Sequence, residues 1–215
     1  MRIILLIMAL LSLVILAGCG SSNGDGGGGQ QNSVNIQNSQ VTPKNVNVDV
    51  GDSVRWINLD SIPHQVISGT LLESGSPTTI HPIVISGSGF SPQVSQINFG
   101  ETIRLSNTRT VSMNVNVVND AGQVVEVLSI PQGGQIDYQF PSAGAFSLKD
   151  TSGLLLTATV IVFGTPNPNG IFQSVTLGTG DTFTVQFDTP NTYNYFVLNA
   201  NNPNQSFMTG TVTVQ

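Results

Sequence analysis

The chain has 215 residues, only 8% of them charged, and its 6 Lys and Arg face 12 Asp and Glu, for a formal net charge of −6. An acidic chain without Lys/Arg patches is unsuited to nucleic acid or to an anionic lipid surface as its main partner. Cys19 is the only cysteine, which excludes a disulfide within the chain. Ser, Thr, Asn and Gln carry most of the polarity, a composition that suits an exported β-protein.

At the N-terminus, Met1-Arg2 leads into the apolar run IILLIMALLSLVIL and then the tetrad Leu16-Ala17-Gly18-Cys19. The run has the length of a signal-peptide core and is short for a membrane-spanning helix. The tetrad resembles the lipobox of bacterial lipoproteins. That resemblance implies a signal peptide over 1–18, cleavage before Cys19, and lipidation of the Cys19 sulfur. The expected location is the bacterial cell envelope, to which lipid chains tether the exported protein without spanning the membrane. Gly20, not Asp, follows the cysteine, so the Asp signal associated with inner-membrane retention is absent. With Arg2 removed, the net charge becomes −7. Residues 20–33, GSSNGDGGGGQQNS, hold no apolar side chain and are expected, as part of a lipidated segment over 19–33, to form a flexible tether.

From residue 34 onward no helical period is visible. Short alternating segments predict strands instead: VNVDV, SVRWIN, HQVIS, IVIS, TIRLSN, MNVNVV, VVEVLSI, IDYQF, TATVIV, SVTL, FTVQF, NYFVL and TVTV. Gly, Pro and Asn separate them, and so many short strands predict an all-β chain of two sandwiches.

An internal repeat supports two units. Residues 39–66 align without gaps to 88–115 at an offset of 49, matching Pro43 with Pro92, Gly51 with Gly100, Asp52 with Glu101, Arg55 with Arg104 and Asn58 with Asn107. Residues 128–148 match 175–195 at an offset of 47, with Gly133 against Gly180 and Phe140 against Phe187. The order is first half, first half, second half, second half. Either one complete unit is nested in a loop of the other, or the halves interlace. Nesting needs only neighbouring connections and places its junctions in the Gly/Pro/Ser-rich stretches SGTLLESGSP and FGTPNPNGIFQS, so it is the favoured arrangement. The expected boundaries are 34–76 with 166–215 for the outer domain and 77–165 for the insert.

The outer pieces VTPKNVNVDVGDSVRWINLDSIPHQV, GIFQSVTLGTGDTFTVQFDTPNTYNYF and MTGTVTV resemble the cupredoxins, Greek-key β-sandwiches that include the blue copper proteins. The resemblance implies two cupredoxin-like sandwiches, the second inserted in a loop of the first. A blue site uses two His and a Cys with a long axial Met. His64 matches the first histidine and Met208 the methionine by position. Val197 stands where the cysteine belongs, and VLNANNPNQS offers no second histidine. In the insert, Met113 takes the histidine position, and SLKDTSGLLL holds neither Cys nor His. His64 and Met208 are therefore an incomplete metal set. His81, beside Pro82, is expected in an exposed linker, where it would add a ligand only by folding back.

Trp56 is expected in the core, and Arg55 and Arg104 at solvent or beside a carboxylate. Asp52, Glu101 and Asp181 each follow a turn Gly and are expected to stabilise the turn. No nucleophile–base motif, HExxH or recognisable carboxylate pair appears, so no catalytic residue is expected. These residues favour a non-redox binding or structural module of the envelope, with no cofactor expected and a protein or glycan partner. The resemblance leaves copper as the one candidate cofactor. It keeps open weak copper handling by His64 and Met208, and, at lower rank, electron transfer.

Overall fold

The computed structural model describes residues 31–73, 79–152 and 156–215. The expected signal peptide, Cys19 and most of the expected tether lie outside the described residues. Among the described residues every regular element is a strand. In chain order they are β1 (Gln31–Gln37), β2 (Gln40–Thr42), β3 (Asn45–Val48), β4 (Ser53–Asn58), β5 (His64–Leu72), β6 (Ile80–Ser86), β7 (Gly89–Ser91), β8 (Val94–Asn98) and β9 (Thr102–Asn107). Then come β10 (Met113–Val118), β11 (Val124–Ile130), β12 (Gln135–Gln139), β13 (Gly144–Asp150), β14 (Thr157–Phe163), β15 (Thr165–Gln173), β16 (Thr182–Gln186), β17 (Asn191–Asn199) and β18 (Met208–Val214).

Four sheets result. Two, ordered β16-β4-β1-β2 and β15-β5-β17-β18-β3, use strands from 31–72 and 165–214; the others, β12-β9-β6-β7 and β11-β10-β13-β14-β8, use strands from 80–163. In each sandwich both sheets contribute to one core, because inward residues alternate along the strands. Val34, Trp56, Val66, Tyr195 and Val212 meet in the first core. Ile85, Leu105, Val115, Leu148 and Val160 meet in the second. Parallel pairs β1·β4 and β3·β18 in the first sandwich recur as β6·β9 and β8·β14 in the second, which gives both the crossed connections of a Greek key.

Trp56 is fully buried, as its strand position predicts, and packs edge-on against Tyr195 with ring centroids 5.2 Å apart. The turn acids also behave as expected. Asp52, Glu101 and Asp181 each accept the backbone N–H of the residue three before, Asp49, Asn98 and Gly178.

Three local expectations are corrected. β1 begins at Gln31, inside the expected tether, because its parallel ladder to β4 starts at Gln31↔Ser53 and needs backbone groups, not apolar side chains. SVTL is not a strand. Ser174 crosses the edge of β5, where its hydroxyl accepts the Val66 N–H, and only Leu177 makes a bridge, to His64. His81 lies within β6, paired with Ile103, and its Nε2 is 2.9 Å from Glu101 Oε2. It is a sheet residue, not a linker residue.

A candidate site beneath the 199–207 loop

In each sandwich one strand, β4 in the first and β9 in the second, ends in a buried asparagine. Asn58 donates to the carbonyls of Ile62 and Leu177 and accepts the Asp60 N–H. Asn107 donates to Val111, Ile130 and Pro131 and accepts the Arg109 N–H. The repeat exposes this pair of residues, but their role as pins that hold the following loop becomes visible only in three dimensions. Each loop then delivers a charged side chain to the sandwich end, Asp60 in the first and Arg109 in the second.

Asp60 is the hub of the first end. Its carboxylate accepts the backbone N–H groups of Asn38 and Ser39 and lies 2.9 Å from His64 Nε2. Asn38 and Ser39 have φ of 54° and 57°, the left-handed pair needed by a tight two-residue hairpin turn, and the carboxylate satisfies both turn donors. His64 is fully buried, and its Nδ1 lies 3.2 Å from the Leu198 carbonyl. An oxygen therefore stands against each ring nitrogen, and neither nitrogen faces an open position; a neutral imidazole donates to one of the two oxygens only.

Met208 is directly paired with Val197 across β17 and β18, and Val197 with Val66 across β17 and β5. His64, Val197 and Met208 line one cavity of about 300 Å³. The structure thus brings together the two residues of the predicted metal set, with Val197 between them, and leaves His81 elsewhere. The donors do not fit copper. One imidazole has an oxygen against each nitrogen, one thioether is available, and no thiolate or second imidazole faces them. Among the described residues no group of three or more His, Cys, Asp or Glu side chains is arranged to hold a metal ion.

The second sandwich closes the corresponding end differently. Asp150 pairs with Val115 as Val197 pairs with Val66, so Asp150 stands where Val197 stands in the first sandwich. Its buried carboxylate accepts Arg109 Nη1 at 3.0 Å and the Ser152 N–H at 2.7 Å. Met113 joins the apolar core, and Leu156 packs against it. A carboxylate held against a nitrogen-bearing side chain therefore occupies each end, with the order reversed: Asp60 to His64 in one, Arg109 to Asp150 in the other. The opposite charges of Asp60 and Arg109 at equal repeat positions were the readable signal for this.

Elsewhere, burial raises the Glu101 carboxyl, but hydrogen bonds from the Asn98 backbone and His81 outweigh it and hold the group below 4.5. Burial pushes the Tyr195 hydroxyl up to about 12.

No protein-family model matches the chain, and no curated protein matches it. Cupredoxins are among the solved structures that align with part of it. A purple cupredoxin from Nitrosopumilus maritimus is 20% identical, with 38% of this chain and 98% of that one covered, at a TM-score of 0.33. Amicyanin from Paracoccus versutus is 16% identical, with 45% and 96% covered, at a TM-score of 0.35.

Proposed function

We propose that the chain is a non-redox binding or structural module of the bacterial cell envelope, lipid-anchored at Cys19, with the second cupredoxin-like sandwich inserted in a loop of the first. The carrying observation is that oxygens of Asp60 and of the Leu198 carbonyl stand against the two His64 ring nitrogens, beside Val197 rather than a thiolate. A blue-copper couple needs a strong Cu–thiolate bond, and this constellation supplies none. The sheet memberships support the insertion, since strands from 80–163 fall between the two parts of the first sandwich. A second reading, weak Cu(I) binding, draws on His64 and Met208 lining the same cavity.

The test is to add Cu(I) and Cu(II) to residues 20–215, dialyse, and measure retained copper with the visible spectrum. The expected result is neither retained copper nor a visible band. An intense blue band overturns the non-redox reading. Colourless stoichiometric Cu(I), lost in His64→Ala, replaces it with copper handling. The anchor is tested separately: Cys19→Ser is expected to move the protein out of the membrane fraction.

A further inference from the structure

The two sandwiches meet along the loop that follows β17. Gly164 and Ser206 exchange backbone hydrogen bonds of 2.8 and 3.1 Å. Phe163 and Phe207 pack edge-to-face at 5.6 Å, and Gln205 Nε2 donates to Asn98 Oδ1 at 2.5 Å. Gly164 has no room for a side chain, because a Cβ there would come within 2.8 Å of Leu71. These contacts fix a second cavity of about 480 Å³ next to the one at His64, and the two share Phe163, Asn202 and Gln205.

The lining of this larger cleft is unusual in what it combines. Asn202 and Asn204 present free carboxamides, Asn98 and Gln205 line it with carboxamides bonded to each other, and Phe99 and Phe163 add half-buried rings. No Lys, Arg, Asp or Glu lines either of these two cavities, whereas the other clefts described each include such a residue, among them Lys44, Glu73 and Asp120. The amides of Asn202 and Asn204 make no side-chain hydrogen bond among the described residues, so their donors and acceptors face solvent unspent.

We propose that this cleft binds a neutral saccharide, an inference that rests on the non-redox binding reading above and names its ligand class. A sugar ring offers hydroxyls that both donate and accept, together with apolar C–H faces. A carboxamide matches the hydroxyls because it carries both functions in one rigid plane. An aromatic ring covers the C–H face. The absence of lining cations removes the attraction that would select uronic acids or phosphate esters. The cleft volume falls within the range of small-molecule sites, about 300–1,000 Å³.

The test uses the full-length protein in a polyoxyethylene detergent, which carries no sugar headgroup. Maltohexaose, cellohexaose and chitohexaose are titrated by calorimetry. At least one is expected to bind, and the Asn202→Ala/Asn204→Ala double variant to weaken it by about tenfold or more with an unchanged Tm. Phe99→Ala is expected to weaken it as well. Absence of binding by all three up to about 10 mM overturns the proposal, as does binding that survives the double variant. Equal binding of an oligogalacturonate overturns the neutral selectivity. None of these outcomes depends on copper, so the saccharide assignment fails independently of the non-redox reading, which only retained copper overturns.

Discussion

Arg104 holds Asp137 through two parallel bonds, Nε to Oδ1 and Nη2 to Oδ2, both 2.6 Å, directly across the β9–β12 ladder. The equivalent place in the first sandwich pairs Arg55 with Thr184 across β4 and β16. There the Arg55 Nε is buried without a hydrogen-bond partner. A carboxylate at 184 supplies the missing two-pronged acceptor, whose geometry suits a guanidinium better than any single oxygen. Thr184→Asp is expected to raise Tm by about 2 °C at low salt. The gain should shrink near ~1 M salt, where surface charge is screened. Thermal melts at two ionic strengths check this; an unchanged or lower Tm at low salt contradicts it.

Gly210 lies opposite Tyr195 in the β17–β18 ladder, with the tyrosine ring lying over it. A Cβ at 210 would overlap the ring and its hydroxyl, and the ring is buried against Trp56. Neither aromatic can move without opening the core. Gly210→Ala is expected to cost about 1–3 kcal/mol, the usual penalty of overpacking. Gly51 is the control, because nothing lies near a Cβ there and only its φ of 92° opposes substitution. Urea unfolding of the Gly210 variant with an unchanged midpoint would show that the ring has another place to go.

The Tyr195 hydroxyl is buried without a partner, and burial raises its pKa from 10.0 to about 12. Between those values the unfolded chain gives up the proton while the native chain keeps it. Stability is therefore fully present below pH 10 and falls as pH rises toward 12. Tyr195→Phe removes this dependence and also the unsatisfied hydroxyl. It is expected to flatten the alkaline limb of the stability curve and to leave the neutral-pH stability equal or higher by about 1 kcal/mol. A variant with the wild-type alkaline slope would assign that slope to other groups.

Strands with clean alternation were legible at their true bounds: SVRWIN, TIRLSN, MNVNVV and VVEVLSI coincide with β4, β9, β10 and β11. The gapless repeat made the paired architecture readable for the same reason, since equal spacing of inward residues builds equal sheets. β1, β13 and β15 were not legible. QNSVNIQ is too polar, GAFSLKD mixes a Gly start with two charges, and TPNPNGIFQ carries two prolines; each is ordered by its neighbour's backbone instead. At the site, the missing thiolate at Val197 was plain, because it is an identity at a position. The partners of His64 were hidden: one is a main-chain carbonyl on β17, and the other is a carboxylate whose acceptor role depends on how the 58–64 loop closes. The open cleft was hidden for a similar reason. Its residues come from three separate segments, 98–99, 163–165 and 202–205, that no single pattern joins.

The reversed contacts at the two sandwich ends make opposite demands on their carboxylates. Asp60 satisfies three donors, two of them from a turn held in the left-handed region, and His64 beside it has no exposure to water. Removing that carboxylate strands the turn N–H groups and the imidazole together. Asp60→Ala is therefore expected to cost about 2–4 kcal/mol, with Asp60→Asn intermediate because an amide oxygen still accepts. Asp150 also satisfies the Ser152 N–H, but its main partner, Arg109, retains 12% side-chain exposure and has a route to solvent. Its counterpart in the other sandwich is the apolar Val197. Replacing the whole pair, Arg109→Ala with Asp150→Val, is thus expected to change stability by no more than about 1 kcal/mol, since a buried pair removed as a unit leaves no orphaned charge. Asp150→Val alone should cost more than the double change, because Arg109 is then left half-buried without its carboxylate. Chemical unfolding of the three variants orders these costs. A double variant less stable than Asp150→Val alone would mean that the pair holds the second sandwich together by more than mutual neutralisation.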